Sequence, residues 1–107
     1  MENYIKESRK LFKEKVKNWS KEQKQTHLRL LKDHIKILKE NIKLKEIGLK
    51  LYKENPYPLN PQFEYEKNEE YVNQKVKLTE LKINQELKKE KEELEEFEWQ
   101  IKYLERN

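Results

Sequence analysis

The chain of 107 residues contains no cysteine, no alanine, one glycine and three prolines, and only Arg9, Arg29 and Arg106 among its 25 basic residues are arginine. Without cysteine there is no disulfide framework and no thiolate nucleophile or ligand. A single glycine excludes the glycine-rich loops that cradle phosphates. No apolar run approaches the ~20 residues that span a bilayer. Met1-Glu2-Asn3-Tyr4-Ile5-Lys6-Glu7 offers no signal-peptide core. The expectation is a soluble, cytoplasmic protein.

Chemistry-bearing residues are equally sparse. His27 and His34 are the only histidines. Two turns of helix separate them by about 10.5 Å, too far to share a metal within one helix. Ser8, Ser20, Thr26 and Thr79 lie in no nucleophile motif. The many carboxylates are spread over helical faces, whereas catalysis needs opposed groups in a cleft. The sequence therefore offers no catalytic residue, metal site, cofactor site or small-molecule site, and a non-enzymatic protein is expected. Pro58-Leu59-Asn60-Pro61 has the spacing of a PxxP ligand, a spacing that two prolines in a turn also produce.

Charge is what the chain has most of. Charged residues make up 43% and hydrophobic residues 34%, the balance of long helices or coiled coil, with disorder as the competitor. Heptad order among the apolar residues favours helices. Residues 1–60 carry 16 basic and 8 acidic side chains; residues 61–107 carry 9 and 13. A basic arm beside an acidic arm favours pairing within the chain and weakens a nucleic-acid reading. Abundant Lys, Asn, Ile and Glu with no Ala suit an AT-rich genome, such as that of a low-GC bacterium or its phages and mobile elements. Lysine content alone is then a poor guide to function.

The periodicity predicts an all-α fold. A short amphipathic helix over about 3–18 carries Ile5, Phe12, Val16 and Trp19 near one face. Ser20-Lys21-Glu22-Gln23 fits a capping box and predicts a new helix over about 21–54. The proline-rich connection over about 55–68 must interrupt the helix. A third helix follows over about 69–106, with Asn68 or Asn60 as its start signal. Helix 2 carries two apolar stripes. One is Leu28, Leu31, Ile35, Leu38, Ile42, Leu49 and Tyr52; the other is Leu30, Ile37, Leu44 and Leu51, one every seven residues. Stripes about 100° apart touch two neighbours. Gly48 reads either as a tolerated defect near the helix end or as a point where another backbone comes close.

Helices 2 and 3 fit as an antiparallel coiled-coil hairpin, with the first helix packed on it as in a three-helix bundle. Pairing residues whose numbers sum to 125 sets Leu28 against Phe97, Leu31 against Leu94, Leu38 against Leu87, Ile42 against Ile83 and Lys45 against Glu80. It leaves Glu90 facing Ile35 unanswered. A sum of 132 instead opposes Ile42 to Glu90 and Lys45 to Leu87, so 125 has fewer apparent conflicts. Such a thin hairpin has a small core, which makes self-association or a partner a physical expectation.

Several apolar residues remain outside the seam. Near the loop end these are Leu44, Ile47, Leu51, Tyr57, Phe63, Tyr71, Leu78 and Leu81, with Leu59 and Tyr65 beside them; at the far end they are Trp99 and Tyr103. Either helix 1 and the connection cover them, or they bind a partner protein or a second copy of the chain. The expected role is protein–protein interaction, as an adaptor, small chaperone, regulator or inhibitor, with a homodimer in view. The alternative is a nucleic-acid-binding accessory protein, with Lys6, Arg9, Lys10, Lys13 and Lys17 as phosphate contacts on helix 1.

Overall fold

The computed structural model describes residues 2–106, which form helices α1 (Glu2–Val16), α2 (Lys21–Glu54) and α3 (Glu69–Arg106) with one 3-10 turn (Glu64–Lys67) in the connection. There is no strand among them. The molecule is a rod of 63 × 27 × 18 Å with a radius of gyration of 20.3 Å. A compact chain of this length would have a radius near 13 Å.

Local sequence sets each boundary. After Val16 the chain turns, with the Trp19 amide donating to the Val16 carbonyl at 2.9 Å. Ser20 is extended, and its hydroxyl accepts from the Gln23 amide while the Gln23 side chain accepts from the Ser20 amide. Two of the orphan amides at the helix start are thereby satisfied, so α1 and α2 are separate helices and not one rod. At the other end of α2 the Asn55 amide still bonds to Leu51, but Pro56 has none to offer. α3 opens at Asn68, whose side chain accepts from the Tyr71 amide.

α2 and α3 pack as the antiparallel hairpin, in a register other than a sum of 125. Lys45 does not face Glu80. It pairs with Glu90 and with Glu86, while Glu80 pairs with Lys53. Lys32–Glu105 and Glu46–Lys91 follow the same offset. These pairs sum to 131–137, with a midpoint of 134, which lies close to the 132 alternative and well away from 125. The reason is the reach of lysine. Opposing residues layer by layer treats Lys45 against Leu87 as a conflict, but a four-carbon stem lies along the seam and places its amine one turn away. The slide answers both Lys45 and Glu90, which 125 could not do.

The slide also carries the first turns of α3 about ten residues, some 15 Å, beyond the end of α2. The connection covers this overhang. Pro56, Pro58 and Glu66 pack beside Tyr71, Val72 and Lys75, and Val72 falls to 3% exposure. The length of the connection is thus used to fold back along α3.

The core is thin. Val16, Leu31 and Leu104 bury together at the far end, with Phe12, Trp19, Leu28, Phe97, Ile101 and Tyr103 packed on them. Ile35, Ile42, Leu87 and Val72 are the other buried apolar side chains. The total accessible area is 9114 Å² for 13.4 kDa. A compact monomer of that mass exposes about 6,500 Å².

Candidate functional site

The far end is built around Phe12. Its ring lies 5.9 Å from Trp99, 6.1 Å from Tyr103, 5.9 Å from His27 and 6.2 Å from Trp19, in tilted and edge-on arrangements that suit aromatic quadrupoles. Trp99 and Tyr103, one turn apart, stack at 5.6 Å. α1 thus lies over both residues and leaves them half-buried. His27 sits 4.9 Å from Trp19.

Electrostatics holds the same contact. Arg9 donates from Nε and Nη2 to the two oxygens of Glu96, at 3.2 and 2.7 Å. Its guanidinium also lies 4.9 Å from the centre of Trp99. The bond to Glu96 raises the pKa of Arg9, against a smaller opposing effect of burial. Lys13 lies 5.9 Å from Trp99 and 5.7 Å from Tyr103. Of the five candidate phosphate contacts, Arg9 is therefore partly buried against Glu96 and Lys13 lies exposed beside two rings; Lys6, Lys10 and Lys17 are exposed as well. The basic N-terminal arm meets the acidic end of α3, as the charge distribution suggested. The periodicity alone did not mark Phe12 as a hub or Glu96 as the partner of Arg9; the acidic run over 92–98 was the available signal.

The loop end is different. Phe63 and Tyr65 stack at 5.2 Å with rings nearly parallel, and Tyr65 meets Tyr71 edge-on at 4.9 Å. Tyr57, Phe63, Tyr65 and Tyr71 all keep much of their surface in solvent, and Leu59 is almost wholly exposed. On α3, Tyr71, Leu78 and Leu81 recur at spacings of seven and three and so share a face; Leu78 is 68% exposed. On α2, Leu44, Ile47 and Leu51 are exposed as well, Leu44 at 64%. Of the ten candidate partner contacts, eight are thus presented to solvent near the loop end and two lie under α1.

Between the ends, the second stripe of α2 stays uncovered: Leu30, Ile37, Leu44 and Leu51 are all exposed. A Cβ built on Gly48 would meet nothing within 4 Å, so no backbone of the same chain approaches it. At the start of this stripe Trp19, Gln23, Thr26, His27 and Leu30 line an open cavity of about 420 Å³. Among the described residues no three His, Cys, Asp or Glu side chains are placed to hold a metal ion. No described helix is long and apolar enough to cross a membrane.

No protein-family model, curated protein or solved structure matches the chain.

Proposed function

We propose that this chain is a non-enzymatic protein–protein interaction module, an adaptor, small chaperone, regulator or inhibitor, that engages a partner protein through the loop end of its hairpin. The observation that carries the reading is the concentration there of exposed apolar side chains, with the Phe63–Tyr65–Tyr71 ring cluster and, on the same face of α3 as Tyr71, Leu78 and Leu81. Scattered surface leucines are ordinary, but a clustered apolar patch with aromatic anchors is the usual form of a binding surface. The hairpin holds this patch at the tip of a stiff rod. The composition suits a phage or mobile-element protein, in which small helical modules that act on a host protein would have a use.

The nucleic-acid reading loses support from the same geometry, since Arg9 and Lys13 are engaged by Glu96, Trp99 and Tyr103. The test uses the chain as bait in three forms: wild type, Phe63→Ala with Leu78→Asp, and charge reversal at Lys6, Lys10 and Lys17. A protein held by the wild type and by the charge-reversed form, but lost by the loop-end form, supports the proposal. Binding that survives the loop-end changes sinks it. Salt-sensitive binding to duplex DNA, abolished by charge reversal, would establish the alternative.

A further inference from the structure

The exposed stripe of α2 is a complete second seam. With the residues between its leucines included, it reads Leu30, His34, Ile37, Asn41, Leu44, Gly48, Leu51, at spacings of four and three throughout. That is the repeat of a helix–helix contact, set about 100° round from the seam that holds α3. His27, one heptad before His34, is already covered by a helix, since Trp19 and Phe12 pack on it. α1 therefore fills the first layer of this face, and the remainder runs on uncovered for some 32 Å.

We infer that a second copy of this chain covers the rest of the seam, α2 against α2 in antiparallel orientation about a two-fold axis, as a homodimer. Three observations commit the face to that occupant. First, the chain exposes about 2,600 Å² more than a compact monomer of its mass. A standard interface removes about 1,600 Å² in total and an obligate homodimer 2,000 Å² or more, so the excess is of the size that pairing relieves. Second, the seam is complementary to itself when reversed about its midpoint near residue 39. Leu30 then lies over Gly48 of the second copy, where the missing side chain leaves room for it. His34 lies over Leu44 and Ile37 over Asn41 of the second copy, and each contact occurs twice. Third, the flanking charges agree. The same reversal brings Lys36 within two residues, about 3 Å along the axis, of Glu40, and Lys43 equally near Asp33, of the second copy, again twice each.

The antiparallel orientation follows from α1. A parallel pair would bring both copies of α1, each lying at the start of the seam, to the same end of the dimer. The antiparallel pair brings Leu51 of one copy to the cavity beside Trp19, His27 and Leu30 of the other. It takes up Leu44 and Leu51 but leaves Phe63, Tyr71, Leu78 and Leu81 outside the contact, so the dimer and the aromatic part of the loop-end surface are tested by different variants.

Light scattering over a concentration series measures the molar mass of the wild type, of Ile37→Lys, of Leu44→Asp and of Leu78→Asp. Twice the chain mass is expected for the wild type and for Leu78→Asp, and the single chain mass for the two seam variants. Both seam positions are exposed in the single chain, so circular dichroism should show helicity retained. Because the chain has no cysteine, Lys50→Cys gives one spin label per copy. The antiparallel pair places the labels about 35 Å apart, and a parallel pair within about 20 Å. A monomeric wild type overturns the inference, as does a dimer that Ile37→Lys and Leu44→Asp leave intact, or a short label distance. None of these outcomes touches the loop-end proposal, which is judged by Phe63→Ala with Leu78→Asp.

Discussion

Lys45 of α2 donates to Glu90 of α3 from within the apolar seam of the hairpin, and Glu86 lies 3.6 Å from the same amine. The pair fixes register. Sliding the helices back to a sum of 125 would leave the largely buried Glu90 carboxylate facing Ile35 without a partner. Removing one partner should therefore harm more than removing both. Lys45→Met is expected to lower the thermal midpoint, measured by circular dichroism at fixed concentration. Lys45→Met with Glu90→Leu should recover much of the loss. A double variant less stable than the single one would show that the pair is not what holds this layer.

The same pair has a signature at alkaline pH. Its bond to Glu90, with a further contribution from the charge of Glu86, raises the pKa of Lys45 above the ordinary 10.5. A group whose folded pKa is raised contributes stability below its unfolded pKa and loses it as pH rises through the folded value. The stability difference between the wild type and Lys45→Met should thus be constant from neutral pH to about 9 and shrink above 10.5. A difference that stays level to pH 11.5 would assign the effect of the substitution to packing of the lysine stem.

Much of this architecture is written in short-range patterns. The three-four spacing of Leu28 to Tyr52 marks α2, the Ser20–Gln23 box marks its start, and the prolines from 56 to 61 mark its end. The opposite charge of the two halves anticipates the bond from Arg9 to Glu96. Register was not legible in the same way, because heptads look alike after a shift of seven. The choice was made by Lys45, whose flexible stem joins neighbouring layers, and by a connection long enough to cover the overhang around Val72. At the loop end, exposure of Leu78 and Leu81 followed from their place off the seam. That α1 would close over Trp99 and Tyr103 depended on Phe12, one aromatic among several on an amphipathic face.

Burial should separate two leucine substitutions of identical chemistry. Leu31 is 4% exposed at the meeting point of all three helices. Leu31→Ala is expected to cost about 2–3 kcal/mol, toward the lower part of the range for core leucines because a thin bundle can settle into the gap. Leu78→Ala, on an open face, should stay within about 0.5 kcal/mol of the wild type. Urea titration at one protein concentration compares them directly, and equal losses would mean that the loop-end face is covered in the free protein.

Gly48 carries two opposite expectations at different concentrations. It lies inside α2 with open space around it. In the separate chain Gly48→Ala should therefore stabilise by about 0.5–1 kcal/mol through helix propensity alone. In the antiparallel dimer the added methyl group meets Leu30 of the second copy. The substitution should then raise the melting temperature of dilute protein while weakening association. Stabilisation at every concentration, with association unchanged, would place Gly48 outside the contact.

Phe12 is the side chain on which α1 depends. Its ring touches four aromatic groups from α2, α3 and the turn before α2, whereas Arg9 contributes mainly one partly exposed ion pair. Half-exposed ion pairs are worth little beside buried aromatic area. Phe12→Ala should consequently release α1, at about 2–3 kcal/mol given the partial burial of the ring. Arg9→Ala should leave α1 docked, with a loss of about 1 kcal/mol at most. Tryptophan fluorescence reads the difference, because Trp19 and Trp99 both lie against Phe12. Emission should shift to the red and acrylamide quenching should rise for Phe12→Ala alone. Salt then gives an independent check: if α1 is held by aromatic packing, the wild-type emission is unchanged between low and high ionic strength. A red shift on adding salt would mean that charge between the basic arm and the acidic end of α3 does the docking, and the order of the two substitutions would reverse.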